Sequence, residues 1–162
     1  MNAINNENKR ATSIIEGYAS LFGVADGGGD IVMPGAFRDS LARKGPANIR
    51  MLFQHDPAEP VGVWTQMRED ARGLFVRGHL TPGVFKADDL QALIDDGAMD
   101  GLSIGFQTLT AQRDRGTGLR RLFKIDLWEI SLVTFPMLTG ARLQKFRARW
   151  PNPSTNRLAI RN

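Results

Sequence analysis

The sequence predicts a mainly β fold with peripheral helices, an antiparallel barrel or strongly curved sheet with helices packed outside it. Strand-like runs rich in β-branched and aromatic residues outnumber helical stretches along the chain. Short polar turns join neighbouring runs, as hairpins require. The 162 residues, 42% hydrophobic and 23% charged, suit one globular domain, and neither a repeat nor a second domain is visible.

Residues 1–12 are polar and read as a flexible N-terminus, without the apolar middle of a secretory signal. Ser13 to Gly23 reads as a strand, and Ala25 to Asp30 (ADGGGD) as a mobile loop, because three consecutive glycines hold no regular structure. No Lys-Ser/Thr follows them, so they are not a phosphate-binding loop. Pro34 can start a helix over Gly35 to Arg43, with Phe37 and Leu41 on one face. Asn48 to Gln54, Val61 to Arg68 and Gly73 to Leu80 read as strands, the last two as an antiparallel hairpin. Val84 to Asp96 has the clearest helical period: Val84, Ala87, Leu90, Leu93 and Ile94 share a face, and Gly97 suits a C-cap. Leu102 to Thr110 and Arg120 to Phe135 follow as strands around a polar turn, and Thr139 to Trp150 as an amphipathic helix. The expected organisation is a flexible start at 1–12, a barrel domain at 13–139 and a basic helix or tail at 140–162.

The formal net charge of +4 sits in that tail, where Arg142, Lys145, Arg147, Arg149, Arg157 and Arg161 face no acid. Taking those six charges away leaves −2 for residues 1–139. Nucleic acid is therefore not the expected partner of the folded body, which lacks a basic face. The tail reads as a solvated end or a dock for an acidic partner. No apolar run approaches the ~20 residues that cross a bilayer. Zero cysteines exclude a thiol nucleophile and thiolate metal sites, and two histidines leave little for a His-rich metal centre. No cofactor or metal is expected, and the protein is expected to be soluble and cytoplasmic.

Three polar residues break the apolar pattern. Ser103 lies between Gly101 and Gly105 on the face opposite Leu102, Ile104 and Phe106, where small neighbours would let another chain approach its hydroxyl. An ordinary solvated strand serine fits the pattern as well. Gly101 to Gly105 matches G-x-S-x-G, but a nucleophile elbow needs a strand before the serine and a helix after it, and here the order is reversed. Glu129 and Ser131 interrupt the apolar odd positions Ile125, Leu127, Val133 and Phe135, while Trp128, Ile130 and Leu132 are apolar on the even positions. Glu129 is thus a carboxylate in a dry strand, where it serves a site or pairs with an arginine. His55 ends a strand-like run before Asp56-Pro57, placed to reach over a cleft or to cap the turn; His79 sits on a half-polar strand face near Arg77. Together Ser103, His55 and Glu129 supply a nucleophile, a base and an orienting carboxylate, the set that serine hydrolysis needs.

Six blocks occur in order: GYASLFG (17–23), GDIVMPGAF (29–37), MLFQHD (51–56), PVGVW (60–64), DGLSIGF (100–106) and LWEISLVTFP (127–136). In order and spacing they resemble the prohead (capsid maturation) serine proteases of tailed phages, over roughly Gly17 to Leu143. The resemblance implies a barrel of the herpesvirus-assemblin type and a serine endopeptidase packaged in the immature capsid (prohead), in the cytoplasm of a bacterial host. It implies cleavage of the scaffolding segment from the major capsid protein, self-processing, and, by likeness to assemblins, a homodimer. The family's serine falls on Ser103 and its histidine on His55. Its acidic residue falls on Glu129, with His79 as the alternative third member because assemblins use a second histidine. A non-catalytic capsid-assembly or scaffolding factor with the same fold is the alternative function.

Overall fold

The computed structural model describes residues 14–144. Eight strands, β1 (Ile14–Leu21), β2 (Asp30–Val32), β3 (Arg50–Phe53), β4 (Asp56–Glu69), β5 (Gly73–Leu80), β6 (Gly101–Arg113), β7 (Arg120–Val133) and β8 (Arg142–Leu143), form one sheet with two helices, α1 (Arg38–Lys44) and α2 (Phe85–Asp96). The strand order is β2-β7-β3-β4-β5-β1-β8-β6, and β6 pairs with β7 to close a ring of seven strands, leaving β2 on the far end of β7. The mainly β barrel expected from the sequence is thus present. It departs from a purely antiparallel barrel at β7, which runs parallel to both β2 and β3. A parallel neighbour needs a crossover connection, and the segment carrying α1 separates β2 from β3.

Inside the ring the core is Ile15, Ala19, Met51, Val61, Trp64, Leu74, Val76, Leu102, Leu122, Ile125, Leu127, Ile130 and Leu132, with Phe37 and Leu90 brought in from the helical segments. Strand β7 changes phase twice: Leu122, Ile125, Leu127, Ile130 and Leu132 are all buried, although alternation would turn some of them outward. The shifts coincide with register breaks against β6 at Gly105/Phe106 and around Thr110, as bulges produce. From Ile130 to Val133 every residue is buried, matching the expectation of a strand covered on both faces. Trp128 and Phe135, counted apolar in that run, are exposed, and the strand ends at Val133.

Gly97 caps α2 at φ 80°, its N–H reaching the carbonyls of Leu93 and Ile94, as the sequence predicts. The buried face of that helix is narrower than the period implies: Ala87 and Leu90 are buried, whereas Val84 and Leu93 are exposed. Helix α1 begins at Arg38 rather than Gly35 and is tied to β7 by Asp126, whose carboxylate meets Ser40, Arg43 and Lys44.

Two expectations are corrected. The glycine-rich segment at 25–30 is not a loose connection: Asp26 Oδ1 accepts from the N–H groups of Gly28 at 2.8 Å and Asp30 at 2.9 Å, so a side chain supplies the order the glycines lack. Asp30 in turn takes a bidentate pair of bonds from Arg120, at 2.7 and 2.6 Å. The helix expected over Thr139 to Trp150 is absent from its described part. A turn leads into β8, which pairs with Gly17 and Tyr18 of β1 and with Gly101 of β6. The expected flexible start at 1–12 and the tail beyond Gln144 lie outside the described residues.

Because β8 is two residues long, it staples β1 to β6 only near Gly17 and Gly101. A Cβ on Gly17 would collide with the backbone carbonyl of Arg142. We predict that Gly17→Ala lowers stability by about 1–3 kcal/mol, as overpacking against an unyielding backbone does; an unchanged urea midpoint would contradict this packing. Asp126 offers a second test. Its carboxyl is held down to about 2 from the ordinary 3.8, chiefly by the Lys44 ammonium and also by the Trp128 indole N–H. A depressed carboxyl contributes stability above its unfolded value and loses it as the pH falls through the folded one. The drop in the urea midpoint from pH 4 to pH 2 should therefore be smaller in Asp126→Asn than in the unmodified protein.

Candidate active site

The open side of the barrel lies where β8 ends. Strand β6 pairs with β7 along one edge, but on the other edge only Gly101 meets β8. Past that staple, Ala19 to Leu21 of β1 and Leu102 to Phe106 of β6 separate around a cleft of about 270 Å³. Asp26 and Gly28 line it together with Met137 and Leu138, to which they are tied by the Gly27 N–H on the Met137 carbonyl at 2.9 Å, so the segment held by Asp26 forms part of the site. Ser103 and His55 both line this cleft.

Ser103 is 8% exposed and lies directly across from Ser131 on β7, while Gly105 lies across from Glu129. Directly opposed residues in an antiparallel pair share a face, so these four positions form one small polar patch. Leu102, on the other face, is fully buried, and Ile104 and Phe106 pack half-buried against the core, as the alternation predicts. The glycines flanking Ser103 do not leave open ground. A Cβ on Gly105 would fall 2.7 Å from Glu129 Cδ and closer still to Oε1, and one on Gly101 would fall 2.9 Å from Pro136 Cδ. The carboxylate of Glu129 thus lies across the Cα of Gly105.

His55 reaches the patch through the parallel pairing of β3 with β7, which sets Leu52 beside Ser131 and Phe53 beside Leu132. Phe53 also pairs with Asp56, leaving Gln54 and His55 as a two-residue turn into β4. Both have positive φ, 53° and 61°, the signature of a type I′ hairpin turn normally given to Asn and Gly. Such backbone costs about 1–3 kcal/mol per residue unless its surroundings hold it. Here Gln54 N–H donates to the Leu132 carbonyl at 3.0 Å, its side-chain amide to Thr134 Oγ1 at 2.8 Å, and His55 N–H to Ser131 Oγ at 3.1 Å.

The imidazole Nδ1 stands 2.6 Å from Glu129 Oε1. A carboxylate only accepts, so Nδ1 carries the proton and Nε2 is the basic nitrogen. The Glu129 side chain is 12% exposed and that of His55 43%, which leaves the carboxylate largely covered and the imidazole reachable. Of the two partners open to a partly buried Glu129, the structure places the histidine beside it. The other carboxylate oxygen, Oε2, accepts from Ser131 Oγ at 2.6 Å. Ser131 had shown in the sequence as an interruption in an apolar run, but its partners sit on β7 and the β3–β4 turn, which no local period reveals. No hydrogen bond joins Ser103 to His55 among the described residues; they meet by lining the same cleft. His79 lies elsewhere, on β5 opposite Ile14 and Val63, themselves 51% and 44% exposed, and so on the outer face. Among the described residues no three or more His, Cys, Asp or Glu side chains are grouped as a metal site.

The barrel shares its fold with two viral proteases of known structure. The bacteriophage T4 capsid assembly protease, gp21, matches with a TM-score of 0.64 at 16% identity, over 77% of this chain and 84% of that one. The varicella-zoster virus protease matches with a TM-score of 0.50 at 18% identity, over 81% of this chain and 62% of that one. Within that class the chain belongs to the caudovirus prohead serine protease family, whose family model matches residues 2–152. It is 44% identical over 128 residues to the prohead protease of Enterobacteria phage HK97, covering 76% of this chain and 55% of that protein. It is 28% identical over 139 residues to the prohead protease of Escherichia phage T5, covering 83% and 63%. The chain therefore spans little more than half the length of the curated relatives it matches.

The packing of Glu129 over Gly105 yields a direct test. Gly105→Ala changes none of Ser103, His55 and Glu129 themselves but puts a methyl where the Glu129 carboxylate lies. It should displace the Glu129 side chain and lower the rate of any reaction run by this site at least ~100-fold, as misplacement near 1 Å does. Wild-type turnover in a folded Gly105→Ala protein would show that the carboxylate's position is irrelevant.

Proposed function

We propose that the chain is a serine endopeptidase in which Ser103 is the nucleophile, His55 the general base and acid, and Glu129 the group that orients His55. The observation that carries this reading is the 2.6 Å contact from His55 Nδ1 to Glu129, at the rim of a cleft that Ser103 also lines. A serine hydroxyl barely ionises at neutral pH and needs a base as it attacks. In the proposed reaction Ser103 Oγ bonds to the scissile carbonyl carbon while its proton passes to His55 Nε2. Glu129 stabilises the imidazolium across Nδ1–H. The C–N bond then breaks, and Nε2–H gives its proton to the departing amine. Water, deprotonated by His55, cleaves the acyl-serine, and the proton returns to Ser103 Oγ.

The substrate proposed is the major capsid protein, cut at its scaffolding segment inside the immature capsid in a bacterial host. The protease is also proposed to process itself and to work as a homodimer. Family membership supports the capsid reading, as does the 31% identity over 106 residues with the capsid polyprotein of Pseudomonas phage PAJU2, of which the match covers 16%. Among the described residues no strand pairs with β6 at Ser103 on the side away from β7, which supports an extended peptide substrate that adds there as a strand. No helix among the described residues is long and apolar enough to cross a membrane.

Co-expression with the cognate capsid protein, followed on gels and by mass spectrometry of the products, tests the proposal. Ser103→Ala should abolish both capsid cleavage and self-processing, and Glu129→Gln should slow cleavage by roughly 10³–10⁴-fold. Cleavage that survives Ser103→Ala would refute the assignment. Co-purification of the unmutated protein with immature shells, without any cleavage, would favour the non-catalytic assembly factor.

A further inference from the structure

We propose that Ser131 is a positioning residue of this site, using one hydroxyl to fix both the Glu129 carboxylate and the backbone that carries His55. The proposal rests on the endopeptidase reading. Ser131 is fully buried within Ile130 to Val133, where every other residue is apolar. A buried hydroxyl must use its donor and its acceptor, and here both go into the site. Its O–H donates to Glu129 Oε2 at 2.6 Å, and its oxygen accepts from His55 N–H at 3.1 Å.

Each bond removes a specific freedom. The terminal torsion of a glutamate is broad and nearly two-fold, so one contact to an imidazole leaves the carboxylate free to swing. With Oε1 on His55 and Oε2 on Ser131, both oxygens are assigned and the plane of the carboxylate is set. At the other end, the N–H of His55 belongs to a turn residue at φ 61°. Ser131 fixes where the imidazole is rooted as well as what it meets.

A role exercised through Glu129 predicts non-additivity. With a peptide spanning the cleavage site mapped by mass spectrometry, Ser131→Ala should lower kcat by about 10–100-fold and leave KM within ~3-fold. In a Glu129→Ala background the same substitution should cost less than ~3-fold, since no carboxylate remains to hold. In ¹⁵N-histidine spectra the His55 Nδ1–H signal should move or broaden in Ser131→Ala while circular dichroism stays native. If Ser131→Ala does not fold, Ser131→Cys, with its weak S–H donor, takes its place in the same cycle. An undiminished cost in the Glu129→Ala background, or an unmoved His55 signal, overturns the proposal. If Glu129→Ala itself leaves cleavage untouched, the orienting role given to Glu129 fails instead, and if the unmutated protein cleaves nothing the endopeptidase reading fails; in both cases the His55 signal still decides the role of Ser131.

Discussion

The site depends on one constraint, the parallel pairing of β3 with β7. Four residues of β3 lie beside Glu129 to Leu132, and that register delivers His55 to the carboxylate. A slip by one residue would turn Ser131 and Glu129 to the other face relative to the turn, because side chains alternate. Parallel pairs are somewhat weaker per residue than antiparallel ones, and this one is short. It is reinforced by the bonds of Gln54 to Leu132 and Thr134, and by α1, which fastens β7 through Asp126 and through Lys44 on the Leu127 carbonyl.

Around that register the polar groups are arranged by exclusion. Gly105 omits a side chain so that the Glu129 carboxylate can lie across it, and Ser131 stands opposite Ser103. The carboxylate is shielded from water, which strengthens its interaction with the imidazole, while the half-exposed imidazole remains accessible to a peptide. The strain of two non-glycine residues at positive φ is concentrated at the same point. Stability is given up where the chemistry is proposed to occur, and the barrel core makes it good.

Strand alternation, the hairpin turn and the α2 cap were legible because each is written in neighbouring residues. Glu129 was legible as an anomaly, since a carboxylate in a dry strand must have a partner. Its partner was not, because the choice between histidine and arginine depends on which strand pairs with β7. The ordering of residues 25–30 was hidden by their glycines, although Asp26 was in view. Strand β8 was missed because two residues carry no periodicity, and Leu143 with its neighbours reads equally well as a helical face. Ser131 was visible only as an interruption, its meaning lying in a backbone N–H 76 positions away.

The smallest strand has a consequence for the order of events in the cell. Strand β8 is the last described strand in the chain, yet it joins the first, β1, to β6 beside the cleft. During synthesis β1 must wait until Leu143 has emerged before the ring can close. At about 5–20 residues per second the intervening chain takes many seconds to appear. His55, on the turn after β3, waits through most of that interval for Ser103 and Glu129, and Leu143 then follows shortly after β7. The topology therefore sets a delay between the making of the residues and the assembly of the site they form.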